Sequence, residues 1–151
     1  LGALDAWLVI RGIKTLPLRM EQHQKNAFAI AKWLQEQPRV QYVLYPGLEN
    51  HPGYEINKAQ TTGFGGMISF AVDSAETARQ ILEGVKLIKF AESLGGTESL
   101  ITYPIRQTHT DLTAEECTEK GITDCLLRFS TGIEATQDLI DDLAQAFAAV
   151  E

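Results

Sequence analysis

The sequence has 151 residues, of which 44% are hydrophobic and 22% charged, a size and composition typical of one globular domain. Its 20 acidic and 13 basic residues give a net charge of −7, which disfavours nucleic acid and anionic membrane surfaces as partners. No apolar run approaches the roughly 18–20 residues that a transmembrane helix needs.

The first part of the chain has a helical pattern. The apolar stretch 4–13 predicts one helix, and Thr15 followed by Leu16 and Pro17 predicts the start of a second. In that second segment apolar residues recur at helical spacing until Pro38 ends the pattern: Ala27, Ile30, Ala31 and Leu34.

The rest of the chain alternates short strands with helices. We predict strands at 40–45, 67–72, 85–90, 99–103 and 125–130, and helices at 54–58, 73–83 and 113–121. Asp73 with Glu76 and Thr113 with Glu116 are predicted capping pairs. A last helix carries Leu139, Leu143, Phe147 and Val150 on one face and Asp138, Asp141 and Asp142 elsewhere. This order favours an α+β fold, with a mostly antiparallel sheet covered by helices on one face and preceded by long N-terminal helices.

Self-sufficient catalytic signatures are missing from the sequence. It has no G-x-S-x-G, S-x-x-K, H-E-x-x-H, C-x-x-C or Walker motif, and Gly63-Phe64-Gly65-Gly66 favours entry into a strand over a dinucleotide loop. The histidines show no metal-ligand spacing, and His109 fits either a solvated loop or a catalytic pair. The two cysteines, Cys117 and Cys125, fit a reducing cytoplasm better than a disulfide, so we expect a cytoplasmic protein.

Two features indicate a binding site. Arg128 interrupts an apolar strand, Leu126-Leu127-Arg128-Phe129-Ser130, where it either reaches water from an edge strand or binds a carboxylate with its planar fork. The stretch "AESLGGTESL" at 91–100 contains adjacent glycines that suit a sharp bend or a close backbone approach. If this bend lies beside the strand, the two form a pocket for an anionic small molecule.

Several blocks of the sequence resemble one enzyme family. "AESLGGTESLITYP", "QTH", "LLRFSTGIE" and "DLIDDLAQAF", in this order, are similar to the C-terminal part of the Cys/Met-metabolism family of pyridoxal-phosphate enzymes. The opening "RGIKTLPLRMEQHQKNA" and the block "YPGLENHP" match as well, so the resemblance covers nearly the whole chain. The family includes cystathionine γ-synthase, cystathionine γ-lyase, cystathionine β-lyase and methionine γ-lyase.

The resemblance implies a division of labour between two parts of a longer protein. In the family, an upstream domain holds pyridoxal 5'-phosphate as a Schiff base on a lysine, and none of the seven lysines here lies in that motif. We therefore expect the C-terminal domain of a fold-type I enzyme: residues 1–37 as connecting helices and 38–151 as the substrate-binding domain. On this interpretation the cofactor belongs to the full-length enzyme, is not covalently bound to this chain, and the chain alone is inactive.

The resemblance also assigns roles to particular residues. Arg128 is expected to bind the α-carboxylate of an amino-acid substrate, with Ser93 in the same pocket. Glu92 is expected near the distal end of the substrate and Thr108 at the entrance. The implied substrate is cystathionine or a related sulfur amino acid, and the implied assembly is a homotetramer.

The reaction itself stays open from the sequence. Glu92 favours cystathionine γ-synthase or γ-lyase, but the same block also resembles β-lyases, and methionine γ-lyase is a further alternative. An interaction domain that kept the fold and lost the chemistry is the alternative outside catalysis.

Overall fold

The structure is a computed structural model that describes residues 1–150. Its helices are α1 (Ala3–Ile13), α2 (Leu16–Gln35), α3 (Tyr54–Gln60), α4 (Ala75–Gly84), α5 (Ala114–Glu119) and α6 (Thr136–Ala148), with a 3₁₀ turn at Pro104–Arg106. Its strands are β1 (Val40–Leu44), β2 (Met67–Val72), β3 (Lys89–Phe90), β4 (Leu100–Thr102) and β5 (Leu126–Ser130). The α+β class predicted from the sequence is confirmed.

The five strands form one mixed sheet in the order β1-β2-β5-β4-β3. The pairs β1/β2, β2/β5 and β5/β4 are antiparallel, and the pair β3/β4 is parallel. Strand β5 therefore lies in the middle of the sheet. The interpretation of Arg128 as an edge-strand arginine is wrong, because β5 is hydrogen-bonded on both sides.

The core lies between the sheet and helices α2, α4 and α6. Helix α6 packs against α2 and α4, and both of these contact β2. Alternate residues of the central strands enter this core, including Ile68 and Phe70 of β2 and Leu127 and Phe129 of β5. Because successive side chains of a strand point to opposite faces, Arg128 projects from the face that α2, α4 and α6 leave uncovered.

The predicted strand at 85–90 is largely wrong, because only Lys89 and Phe90 are in strand conformation. The Asp142 carboxylate accepts hydrogen bonds from the N–H groups of residues 86, 87 and 88 at 2.8 to 3.1 Å, which removes these donors from any ladder. Asp142 was expected away from the apolar face of α6, yet its exposed fraction is 7%. It is buried because it binds this loop.

The predicted cap of α4 is wrong by one residue. Ser74, not Asp73, is the N-cap, and its hydroxyl accepts a hydrogen bond from the N–H of Thr77 at 3.0 Å. Asp73 instead accepts from the Thr77 hydroxyl at 2.5 Å. The predicted capping box of Thr113 and Glu116 at α5 is confirmed.

Helix α1 has no buried residue in the described structure. Large apolar side chains are exposed along it, among them Trp7 at 54% and Ile10 at 58%. The second half of α2, by contrast, enters the core. Within residues 1–150, no helix combines the length and the apolar character needed to cross a membrane.

Candidate functional site

Arg128 lies at the centre of the sheet face opposite helices α2, α4 and α6. It is directly opposite Ser69 of β2 and Thr102 of β4 in the strand register, so two hydroxyl side chains flank it. Its side chain is half-buried, although its neighbours along β5 are buried. The sheet thus holds one cation at a fixed place between two small polar residues.

The guanidinium of Arg128 has no counter-ion among the described residues. The ion pairs within residues 1–150 involve Arg39 and Arg79 instead. The Nε atom of Arg128 is buried and has no hydrogen-bond partner in the described structure. A buried donor without a partner is costly, so this arginine is suited to an anion supplied from outside the chain segment. A carboxylate matches its planar fork.

The glycine bend (residues 91–98) lies beside β5, as the pocket hypothesis requires. The N–H of Gly95 donates to the Ser130 hydroxyl at 3.0 Å, and the N–H of Ile133 donates to the carbonyl of Thr97 at 2.9 Å. Gly95 has φ +73°, a left-handed conformation that glycine adopts without strain. The bend and the end of the Arg128 strand are therefore in direct contact.

Glu92 and Ser93 stand at the start of the bend, just after β3, and both are exposed. The backbone before them is fixed: the N–H of Ala91 donates to the carbonyl of Ile101, and the Thr102 hydroxyl donates to the carbonyl of Ala91 at 2.9 Å. Their side chains are free to contact a substrate, and no hydrogen bond in the described structure joins either of them to Arg128.

Thr108 lies after the 3₁₀ turn at Pro104–Arg106, which packs against β5. Its hydroxyl is 2.7 Å from Nδ1 of His109, and both side chains are half-buried. Burial raises the pKa of the nearby Tyr103 hydroxyl, with the charge of Asp124 adding to the rise. His109 therefore lies in an organised loop rather than a fully solvated one.

The Cys125 thiol is not an activated nucleophile. Both cysteines are free, and Cys117 is buried. Burial raises the pKa of the Cys125 thiol, and its hydrogen bond to Asp124 raises it further. A raised pKa keeps the thiol protonated and unreactive at neutral pH.

The described residues do not fit a covalent pyridoxal-phosphate anchor. All seven lysines are solvent-exposed, so none lies in an enclosed site that could hold a cofactor: Lys14, Lys25, Lys32, Lys58, Lys86, Lys89 and Lys120. What this face of the sheet offers is the unpaired guanidinium of Arg128 with flanking hydroxyls. The site therefore offers a planar fork that matches an oxyanion such as a carboxylate.

Sequence reasoning missed a group of residues behind the bend. The Glu134 carboxylate binds both the N–H and the hydroxyl of Ser99, and Asn26 of α2 binds two carbonyls of the same region. It also missed His23, which is 2% exposed and whose ring nitrogens have no hydrogen-bond partner in the described structure. Their signal was weak because each is a single polar residue without a periodic pattern: His23 and Asn26 lie within the predicted second helix, and Glu134 lies between β5 and α6.

Comparison with known proteins gives consistent results over nearly the whole chain. The sequence model of the Cys/Met metabolism PLP-dependent enzymes matches residues 1–148. A cystathionine gamma-lyase of Bacillus subtilis is 52% identical over 97% of this chain and 38% of its own length. A cystathionine gamma-synthase of Haemophilus influenzae is 51% identical over 98% of this chain and 36% of its own length.

A similar fold is found in a solved structure. The cystathionine gamma-lyase of Lactobacillus plantarum, crystallised with L-serine, superposes with a TM-score of 0.94 and 41% sequence identity. The match covers 99% of this chain and 39% of that protein. The chain thus spans less than two fifths of the length of the relatives it matches.

Proposed function

This chain belongs to the Cys/Met metabolism family of PLP-dependent enzymes, and on that premise we propose that it is the C-terminal portion of a trans-sulfuration enzyme. The reaction we propose is of the cystathionine γ-synthase or γ-lyase type, which makes or breaks C–S bonds of sulfur amino acids. The observation that carries the proposal is the unpaired, half-buried guanidinium of Arg128 on the central strand.

In this proposal Arg128 binds the α-carboxylate of the substrate. Two parallel N–H···O bonds from a planar guanidinium fix both the position and the plane of a carboxylate, which a lysine cannot do. Fixing that group orients the bonds at Cα toward the reacting centre, and such orientation lowers the barrier of the following steps. The rigid place of β5 within the sheet supports this positioning role, because both edges of the strand are hydrogen-bonded.

Pyridoxal phosphate supplies the electron withdrawal that this family's chemistry needs. We assign its anchoring lysine to a domain upstream of this chain, because the lysines here are all exposed. In the proposed division, residues 1–37 connect that domain to the substrate-binding domain at 38–151. The second half of α2 shares the core of the latter domain, so the connection is rigid at that end.

The glycine bend contributes the remaining substrate contacts in this proposal. The Ser93 hydroxyl lies at the amino-acid end of the substrate, Glu92 near its distal end, and Thr108 at the entrance. The exposure of Glu92 and Ser93 beside the fixed backbone of Ala91 supports these roles, since both side chains are available for a ligand. The presence of Glu92 favours γ-type over β-type chemistry.

We further propose that the full-length enzyme is a cytoplasmic homotetramer. The exposed apolar side chains of α1 support assembly, because a helix with apolar residues around its whole circumference is stable only when it is covered. The two free cysteines agree with a reducing compartment.

The products formed by the full-length holoenzyme test the proposed reaction. With cystathionine and water as reactants, γ-elimination yields 2-oxobutyrate, ammonia and cysteine, whereas β-elimination yields pyruvate, ammonia and homocysteine. A synthase instead joins cysteine to an activated homoserine ester. We expect 2-oxobutyrate or cystathionine formation. Pyruvate as the main product refutes the γ assignment, and a holoenzyme without any C–S chemistry refutes the proposed function.

A further inference from the structure

Glu134, six residues beyond Arg128, bridges the end of β5 and the start of β4. Its carboxylate accepts hydrogen bonds from the backbone N–H of Ser99 at 2.7 Å and from the Ser99 hydroxyl at 2.9 Å. The Ser99 oxygen in turn accepts from the N–H of Gly132 at 2.8 Å. Ser99 is the residue that immediately follows the glycine bend, and it is fully buried.

We propose that the Glu134–Ser99 pair is a positioning element that sets the place of the glycine bend relative to Arg128 and thereby the preference for the distal group of the substrate. This inference rests on the proposed function. Glu134 contacts no substrate in this account and acts only through the bend.

The two backbones joined by the Glu134–Ser99 pair already approach as closely as they can. A Cβ added to Gly132 would lie 2.4 Å from the carbonyl oxygen of Thr97 and 2.6 Å from the carbonyl carbon of Glu98. Only glycine fits between these chains, so the residues just after β5 are closely packed against the bend as well as hydrogen-bonded to it. Loss of the Glu134–Ser99 hydrogen bonds therefore displaces the bend directly.

The β5 side of the pair is anchored independently. Asn26 is fully buried in α2, and its amide donates to the carbonyls of Gly132 and Glu134 at 2.9 and 3.0 Å. The loop that carries Glu134 is thus fixed to the core of the domain. If the Glu134–Ser99 contact is lost, the segment that moves is therefore mainly the bend.

The bend side depends on few contacts. Between residues 92 and 98 nearly every side chain is exposed, and the bend's hydrogen bonds to the end of β5 involve Gly95 and Thr97. The Glu134 carboxylate has no cation partner among the described residues, so its charge strengthens the bonds it accepts from Ser99. Removing that charge weakens the hold on the segment that carries Glu92 and Ser93.

The test uses full-length holoenzyme with Glu134→Gln and Ser99→Ala, which remove the charge and the bridging hydroxyl. Glu36→Gln is the matched control, because Glu36 is an exposed carboxylate at the C-terminal end of α2, outside the bend. Steady-state kinetics are measured with two sulfur amino acids that differ beyond Cγ. Assays are run well below the melting temperature of each variant. Hydrogen exchange of the peptide covering 91–99 is measured in parallel.

We expect kcat/KM of both variants to fall by about 10- to 100-fold, since a displacement on the order of 1 Å has effects of this size. The loss should differ about fivefold or more between the two substrates, and exchange in 91–99 should accelerate. Glu36→Gln should change neither. A lower melting temperature with unchanged substrate ranking and exchange overturns the proposal, because this is what a merely structural contact predicts.

Two safeguards keep the outcomes interpretable. If Glu134→Gln does not fold, Ser99→Ala tests the same contact, since it removes one oxygen and adds no volume. If wild-type holoenzyme has no activity on sulfur amino acids, the proposed function fails. The hydrogen-exchange measurement still tests whether Glu134 positions the bend. Unchanged protection of 91–99 in Glu134→Gln overturns the positioning role by itself.

Discussion

Replacing Asn26 should destabilise the region around β5 far more than its small size indicates. Its amide donates to the carbonyls of Gly132 and Glu134, and its oxygen accepts from the Thr136 hydroxyl at 2.6 Å and the Gln22 amide at 3.0 Å. Asn26→Ala removes all four bonds at a fully buried position.

The loss of stability caused by Asn26→Ala depends on which of its hydrogen-bond partners can bind water instead. The carbonyls of Gly132 and Glu134 are held in the backbone, and an unsatisfied buried acceptor costs about 1–3 kcal/mol. Gln22 is only half-buried and can rotate toward solvent. We therefore expect a loss of about 2–4 kcal/mol, nearly all from the two carbonyls and Thr136.

Native-state hydrogen exchange in the full-length protein measures this loss of stability as a decrease in the opening free energy of the amides in 128–134. Gln22→Ala is the matched control and should lower it by less than about 0.5 kcal/mol, because the Gln22 side chain is near the surface and its partner Asn26 keeps its other bonds. Asn26→Asp should be at least as harmful as Asn26→Ala at pH 7, since it places a carboxylate against two carbonyl oxygens. Equal, small effects of Asn26→Ala and Gln22→Ala would refute the reasoning.

Three further predictions concern other parts of the chain. Asp142→Asn should lower the free energy of unfolding, measured in urea, by about 2 kcal/mol, since it disrupts charged hydrogen bonds to three N–H groups. Asp141→Asn, at an exposed position of the same helix, is the control and should be nearly neutral. Burial raises the pKa of Tyr45 to about 12, so its contribution to stability is complete below pH 10 and declines by roughly 2 kcal/mol as the pH rises to 12. Unfolding measured against pH should show a larger alkaline loss in the wild type than in Tyr45→Phe, which at neutral pH loses about 1 kcal/mol with the bond to the Gly65 carbonyl. Finally, borohydride reduction of residues 1–151 mixed with pyridoxal phosphate should yield no stoichiometric adduct, and mass spectrometry showing one modified lysine would contradict the division of labour.

Helices α2 and α6 and the central strands could be predicted because their apolar periodicity coincides with burial. Residues such as Ile30, Leu34, Leu139 and Leu143 recur at helical spacing and are all fully buried. In these segments local pattern and tertiary packing agree, so the sequence alone was sufficient. The glycine bend was also found from its composition. Its contact with β5 was only a condition for a pocket in the sequence analysis, and the structure meets that condition.

Most of the failures have one physical cause, which is hydrogen bonding between residues distant in the sequence; the cap of α4 is the exception, since there the choice lies between the neighbours Asp73 and Ser74. The segment 85–88 has a strand-like composition, but Asp142, more than fifty residues later, binds its N–H groups. Likewise, the edge-strand interpretation of Arg128 failed because strand order is a property of the whole sheet. The pairing of Glu134 with Ser99 spans 35 residues and has no periodic signal.

The most direct test of the central claim is the effect of Arg128→Lys on the full-length enzyme with two different amino-acid substrates. The charge is kept and the bidentate fork is lost, so we expect kcat/KM to fall by 30- to several-thousand-fold, which corresponds to about 2–5 kcal/mol. The loss should be similar for both substrates because they share the α-carboxylate, whereas Glu92→Ala should change their ranking. Arg79→Lys, the same substitution at an exposed arginine paired with Glu76 and Glu83, should have no effect. Near-normal kcat/KM of Arg128→Lys on both substrates would contradict the assignment of Arg128 as the carboxylate-binding residue.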